Sequence, residues 1–293
     1  MMSVLLRCVR PFLATILGAM ALLTTPLVPA FSNPSQAGTW PSRVQAVYGI
    51  SYAGLNLGTF EFNSVVTGSG YHLTGRAQLS ALLGAFEWKS DIRTHGVLSA
   101  GTPRPTGYSF DFRSNSKSGQ VKMSFADNKV ASVLTQPPMP SPAGTVPVTD
   151  AHLQDVLDPL SAIMVLAGAQ GRRISGANPC GRRLAIFDGK QRFDLVLSYK
   201  SQSQVAEAQP SGQPNMAYVC RVRYVPIAGY KPNEEIKTMT QETGIEVWLR
   251  PVPSADLFVP YQVVIPTGMG QVTLTSQKVE ITTQSQGQIA FVY

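Results

Sequence analysis

The sequence predicts an all-β, mainly antiparallel fold: one large curved sheet, a half-barrel or β-spiral, with one buried helix near residues 158–168. Three observations carry this. Apolar residues alternate with polar or small ones through most of the chain, the period a sheet with one apolar face requires. Gly, Asn and Asp clusters punctuate these runs at short intervals. Only one segment, Leu160 to Ala167, is apolar nearly all round with helix signals at its ends.

The first residues read as a targeting segment. Arg7 and Arg10 form a positive region, and Phe12 to Leu23 is an apolar run too short for the roughly 20 residues of a spanning helix. Val28-Pro29-Ala30 follows, so a signal peptide over residues 1–30 with cleavage after Ala30 is expected, and Ser35-Gln36-Ala37 offers a second site. Cys8 lies before the apolar run, where it cannot be lipidated after cleavage. Residues 31–44 read as a disordered leader. A single β-rich domain is expected over 45–293, with no further stretch able to span a membrane as a helix.

Strand signals then follow in order. Tyr48, Ile50 and Tyr52 alternate; Phe60 and Phe62 resume the pattern, and Tyr71, Leu73, Gly75 and Ala77 continue it. Leu79 to Ala85 reads either as a short helix or as a bent connection. Phe86, Trp88, Ser90 and Ile92 form another strand, whose other face, Glu87, Lys89, Asp91 and Arg93, is a solvated charge row. Tyr108, Phe110 and Phe112, then Val121, Met123 and Phe125, alternate on either side of a loop at Asn115 to Gly119. Residues 135–147 are proline-rich and must form a loop outside any sheet interior.

The helix starts at Asp158-Pro159, a capping acid before a proline at the first helical position. Gly168 ends it. Its nearly all-round apolar surface predicts burial against the sheet. Strands are expected at 184–187, 193–199, 218–225, 245–249, 261–265, 272–275, 278–282 and 289–293, which brings the total to about twelve. Such a meander must curl to protect its edges.

Cys180 and Cys220 remain after processing. In an exported protein they favour a disulfide over two free buried thiols. Between them, Asp188-Gly189 is the clearest turn signal, and Asp188, Arg192 and Asp194 are placed for an ion pair within one hairpin. These residues, with Asp158 and Pro159, read as structural.

Several functions are excluded. The net charge of +7 falls by two with the signal, and the basic residues are dispersed, so nucleic acid is not an expected partner. His72, His95 and His152 stand singly without ligand spacing, so neither a metal nor a cofactor is expected. No nucleophile elbow, zinc-protease helix, phosphate loop or dinucleotide fingerprint is present. The aromatic residues of the sheet either fill a barrel or line a groove for an apolar ligand. The candidate binding residues are Tyr52, Phe60, Phe62, Trp88, Phe110 and Trp248.

Four segments carry a family resemblance: Tyr48 to Gly58 (YGISYAGLNLG), Asp158 to Ala162 (DPLSA), Cys180 followed by Phe187 to Phe193 (FDGKQRF), and Cys220 followed by Pro226 to Tyr230 (PIAGY). From about Val47 onward the chain resembles the exported β-rich proteins of Gram-negative bacteria grouped as domain of unknown function 3108. The resemblance implies a periplasmic curved sheet or half-barrel and transfers no catalytic residue. The expectation is therefore a non-catalytic periplasmic protein of envelope maintenance. It would bind a lipid, an acyl chain or an apolar peptide on its curved sheet. A scaffold for envelope proteins or cell-wall glycan is the alternative, ahead of a hydrolase.

Overall fold

The computed structural model describes residues 40–81, 84–139, 141–168, 174, 178–241, 244–267, 270–283 and 287–293. The signal peptide and leader residues up to 39 lie outside these, as do Leu82 and Leu83 of the ambiguous 79–85 segment. Among the described residues fourteen strands form one antiparallel sheet. Seven come first: β1 (Arg43–Tyr52), β2 (Leu55–Thr67), β3 (Gly70–Ala81), β4 (Phe86–Ser99), β5 (Thr102–Ser114), β6 (Ser118–Ala126) and β7 (Lys129–Gln136). Helix α1 (Pro159–Ala167) separates them from β8 (Arg182–Phe187), β9 (Arg192–Gln204) and β10 (Met216–Ala228). A second helix, α2 (Glu234–Gln241), precedes β11 (Glu246–Val252), β12 (Leu257–Thr267), β13 (Gly270–Thr283) and β14 (Gly287–Val292).

The sheet runs from β7 down to β1, then through β13 to β8, with β14 added to β13. Thus β1 joins the two halves. β12 pairs with the first half of β13, Gly270 to Thr275, while β14 pairs with its second half, Lys278 to Thr283. The sheet branches at that point, and β14 occupies the edge that β12 leaves. The two strand signals at 272–275 and 278–282 are one strand. Val47 pairs Lys278 and Tyr48 pairs Ser276, so Gln277 is the extra residue of a bulge.

Among the described residues no strand pairing joins the sheet ends β7 and β8 directly. Residues 154–157 strap them together. Gln154 bridges Lys129 at the start of β7, and Leu157 bridges Ile186 of β8 in parallel. Backbone bonds from Asp155 to Asn128 (2.8 Å) and from Leu157 to Ala185 (2.8 Å) hold the strap. The strap leads straight into α1, which packs against β3, β4, β5, β8 and β12 on the concave side.

Asp158 caps α1 as its sequence predicts. Its Oδ1 accepts from the amides of Leu160 (3.0 Å) and Ser161 (3.1 Å). Gly168 ends the helix as expected, in an extended rather than a left-handed conformation: its φ is −74° and ψ 150°. Glycine suits this position for another reason. The Trp40 ring lies against it, and a Cβ there would stand 2.8 Å from the indole. Arg182 of β8 supplies the C-terminal cap, donating to the carbonyls of Val165 (2.7 Å) and Leu166 (3.0 Å).

Other features depart from the sequence reading. α2 was not expected, although Asn233 is a regular capping residue and accepts from Ile236 N at 2.9 Å. β1 begins at Arg43, and Trp40 donates to Gly101 O at 2.8 Å, so order starts before residue 45. Cys180 and Cys220 are bonded. Cys180 sits in the turn before β8 and Cys220 in β10, so the bond ties that turn to β10, with the Cα atoms 5.2 Å apart. Asp188 makes no ion pair with Arg192; it accepts from the amides of Lys190 (2.8 Å) and Gln191 (2.7 Å) and shapes the turn. Arg192 pairs with the fully buried Asp194 at 2.6 Å, and Arg183 Nε reaches the same carboxylate at 2.7 Å. No described helix is long and apolar enough to cross a membrane.

Candidate functional site

The concave face is set by strand parity. On β1 the inward residues are Val44, Ala46, Tyr48 and Ile50, and their partners Ser64, Phe62 and Phe60 on β2 face the same way. On the other flank Ile50 pairs Leu274, which pairs Val263, which pairs Val247. α1 lies over this floor. Between helix and floor is a cavity of about 150 Å³. The sheet contributes Val44, Ala46, Tyr48, Phe60 and Phe62 from one side and Val247, Phe258, Val259, Val263 and Leu274 from the other. The helix contributes Ile163, Met164, Leu166 and Ala167, and Trp40 and Pro41 complete the wall.

The lining holds no carboxylate and no cation. Its polar side-chain groups are the hydroxyls of Ser64 and Tyr48 and the Trp40 indole N–H, which is already committed to Gly101 O. Burial pushes the Tyr48 phenol far above its ordinary value, so it stays neutral. The site can therefore take an apolar group and desolvate it, but it contains no ionic partner for a charged head.

Of the six aromatic residues singled out from the sequence, Phe60 and Phe62 line this cavity. Trp88 and Phe110 pair with each other, ring centroids 6.5 Å apart, on strands β4 and β5. Tyr52 lies at the far end of β1. Trp248 follows the inward Val247 and so points to the opposite face. There its ring packs on Tyr261 at 6.3 Å and its indole N–H donates to Glu246 at 3.3 Å. The helix residues and Trp40 complete a site that the strand pattern alone did not outline. Trp40 had no local signal, because it precedes the first alternating run.

Two buried polar centres support the site without lining it. At the start of α1, Asp158 also accepts from Thr94 Oγ1, and Ser161 Oγ shares a hydrogen bond with Tyr71 OH at 2.9 Å. Burial pushes the Asp158 carboxyl above its ordinary value, against four hydrogen bonds that pull it down. Its Oδ2 has no partner among the described residues. The second centre is Arg250, fully buried, stacked 4.6 Å from the Phe291 ring centroid. It donates to Glu207 (2.6 Å), Tyr293 OH (3.0 Å) and Pro214 O (3.0 Å). It thereby ties the β9–β10 loop to the C-terminal strand. Burial raises Glu207, but the bonds from Arg250 and Ser211 outweigh it and hold the carboxyl below its ordinary value. A lone arginine inside the apolar run VWLRPV was the available signal.

The histidines are not grouped with a nucleophile at the cavity. His152 Nδ1 accepts from Thr149 N at 3.2 Å, and His72 and His95 stack on each other away from it. Among the described residues no group of three or more His, Cys, Asp or Glu side chains is placed to hold a metal ion.

A comparison with solved structures returns a β-barrel-like protein of domain of unknown function DUF1849 from Brucella abortus. It is 10% identical, with a TM-score of 0.47, over 83% of this chain and 98% of that one. No curated protein matches the chain at a significant level. The family model described as "Protein of unknown function (DUF3108)" matches residues 47–277, from within β1 to the bulge of β13. That span contains all four of the sequence segments that carry the resemblance, and the chain belongs to the DUF3108 family.

Proposed function

We propose that this chain is an exported, periplasmic protein of the cell envelope that performs no catalysis and holds a hydrophobic ligand between α1 and the curved sheet. The observation that carries the reading is the apolar cavity of about 150 Å³ under α1, with no charged group in its lining. Cavities of about this volume, lined by aliphatic and aromatic side chains, stay dry and accept a ring-sized apolar molecule. The ligand is thus the end of an acyl chain or one apolar side chain of a peptide, with any polar head outside. Export is supported by the Arg7/Arg10 and Phe12–Leu23 pattern and the cleavage signal at Ala30. The Cys180–Cys220 bond is the kind that persists in an oxidising compartment.

Native mass spectrometry with lipid extraction of the purified protein tests the reading. A co-purifying lipid is expected, along with uptake of a fluorescent fatty acid that Ala46→Leu, which fills the cavity, reduces. A lipid-free preparation that takes up no acyl probe sinks it.

One observation favours a scaffolding role as the second reading. Val133, Leu134 and Met139 are 39%, 60% and 44% exposed at the β7 edge and the start of the proline-rich loop. Beside them lies a wider cavity of about 480 Å³. Enrichment of a periplasmic protein in a pull-down, or co-sedimentation with peptidoglycan, supports this role; neither result with the native protein removes it.

A further inference from the structure

The histidines that the sequence leaves scattered include one pair. His72 on β3 and His95 on β4 are direct cross-strand partners. Both are exposed, on the face opposite the inward Tyr71 and Thr94. Their rings stack, with centroids 6.1 Å apart and planes 29° from parallel. Two features of the neighbouring strand shape this arrangement. The β4–β5 ladder shifts register between His95 and Gly96, and such bulges re-aim the side chains beside them. On β5, the residue opposite His95 is Gly107, and the imidazole fills the space a side chain would need: a Cβ there would stand 2.4 Å from Cε1 of His95. Thr106 Oγ1 donates to the His95 carbonyl at 3.2 Å and fixes the strand at this point.

We propose that His72 and His95 form a two-imidazole site for a divalent late first-row transition ion, with Cu²⁺ bound more tightly than Ni²⁺ or Zn²⁺. Imidazole nitrogen is the common protein donor to these ions, and their affinities for a given nitrogen site peak at Cu²⁺. Metal–nitrogen bonds are about 2.0–2.1 Å, so two nitrogens on one ion lie within about 4 Å of each other. From centroids 6.1 Å apart, the rings reach that separation when His95 turns off Gly107 towards β3, a rotation that the exposure of both residues allows. The ladder between β3 and β4 already holds the two backbones in register, so chelation orders only the side chains. The nearest cation on the same face of β4, Arg93, lies between Asp91 (4.0 Å) and Asp111 (3.9 Å), which offset its charge. With two protein ligands, water completes the coordination, and the ion is exchangeable rather than structural.

The test is titration of the mature chain, from Phe31 onward, with Cu²⁺, Ni²⁺ or Zn²⁺ alone in a non-coordinating buffer. It is followed by calorimetry, and for Cu²⁺ by electron paramagnetic resonance. One Cu²⁺ per chain with micromolar affinity and a two-nitrogen signature is expected. His72→Ala and His95→Ala each weaken binding by more than about tenfold and reduce the signature to one nitrogen. His152→Ala leaves both unchanged. His95→Gln, which keeps the size of the side chain, behaves as His95→Ala, and circular dichroism confirms the fold of each variant. Absence of binding, binding that survives either substitution, or dependence on only one of the two histidines overturns the proposal.

Discussion

Thr94 Oγ1 donates a 2.7 Å hydrogen bond to Asp158, joining the wall of the sheet at β4 to the first turn of α1. The same carboxylate caps the helix that roofs the cavity, so one side chain sets both the start of α1 and its seat on the sheet. Asp158→Ala removes the cap, worth about 0.5–2 kcal/mol, and orphans the buried Thr94 hydroxyl, worth about 1–3 kcal/mol more. Asp158→Asn keeps an acceptor oxygen and costs less. Because burial raises the folded-state pKa of Asp158, its contribution is fully present below the ordinary carboxylate value and is lost as pH rises through the folded value. The stability advantage of the wild type over Asp158→Asn therefore shrinks from acid to neutral pH in urea titrations. An advantage that grows with pH would show that the native state holds the carboxylate ionised.

Arg250 and Glu207 form the second test. Their side chains are 0% and 5% exposed, so removing either leaves the other charge buried without its partner. Arg250→Ala costs about 3–5 kcal/mol, and the double variant with Glu207→Ala costs clearly less than the sum of the two singles. Additive losses would mean that the pair is not coupled. Glu207 is held below its ordinary value, so its contribution is present above that value and is lost as pH falls through the folded one. Acid should therefore loosen the β9–β10 loop. The Ala208 amide, which donates to Val292 O at 2.8 Å, reports this as reduced protection from hydrogen exchange.

The disulfide closes a loop with a sequence separation of 40. In the chain-entropy treatment a loop of that length stabilises the fold by about 4 kcal/mol. Cys180→Ser and Cys220→Ser should lower the Tm by similar amounts, and the double variant by no more than either. Thermal unfolding measured with and without reductant checks this: reduction should affect only the wild type.

Gly229 of the PIAGY segment lies on the carbonyl of Lys190 in the FDGKQRF segment. Its φ is +78°, and a Cβ would fall 1.9 Å from that oxygen. Gly229→Ala therefore meets both an unfavourable backbone region, at about 1–3 kcal/mol, and a backbone clash. Chemical denaturation should show a loss above about 2 kcal/mol, whereas Gly212→Ala, also at positive φ but with open space around it, should show the conformational part alone. Equal losses would mean that the Lys190 contact is unimportant.

Period-two alternation, a capping Asp-Pro and the turn residues were enough to determine an antiparallel sheet with a buried helix at 159–167, because each is encoded within a few residues. The same local signals placed Phe60 and Phe62 on an apolar face. They did not say how far that face curls, nor where α1 would lie over it. The cavity therefore follows from the strap at 154–157 and from Trp40, which meets Gly168 far along the chain. Trp248 shows the limit in one residue: its strand is legible, but parity relative to Val247, set by pairing with β12, turns it away from the cavity. The Arg250–Glu207 pair and the His72–His95 pair were likewise decided only in three dimensions. The return of the β9–β10 loop over β11 brings together side chains 43 residues apart, strand register brings together the histidines 23 apart, and no local pattern specifies either meeting.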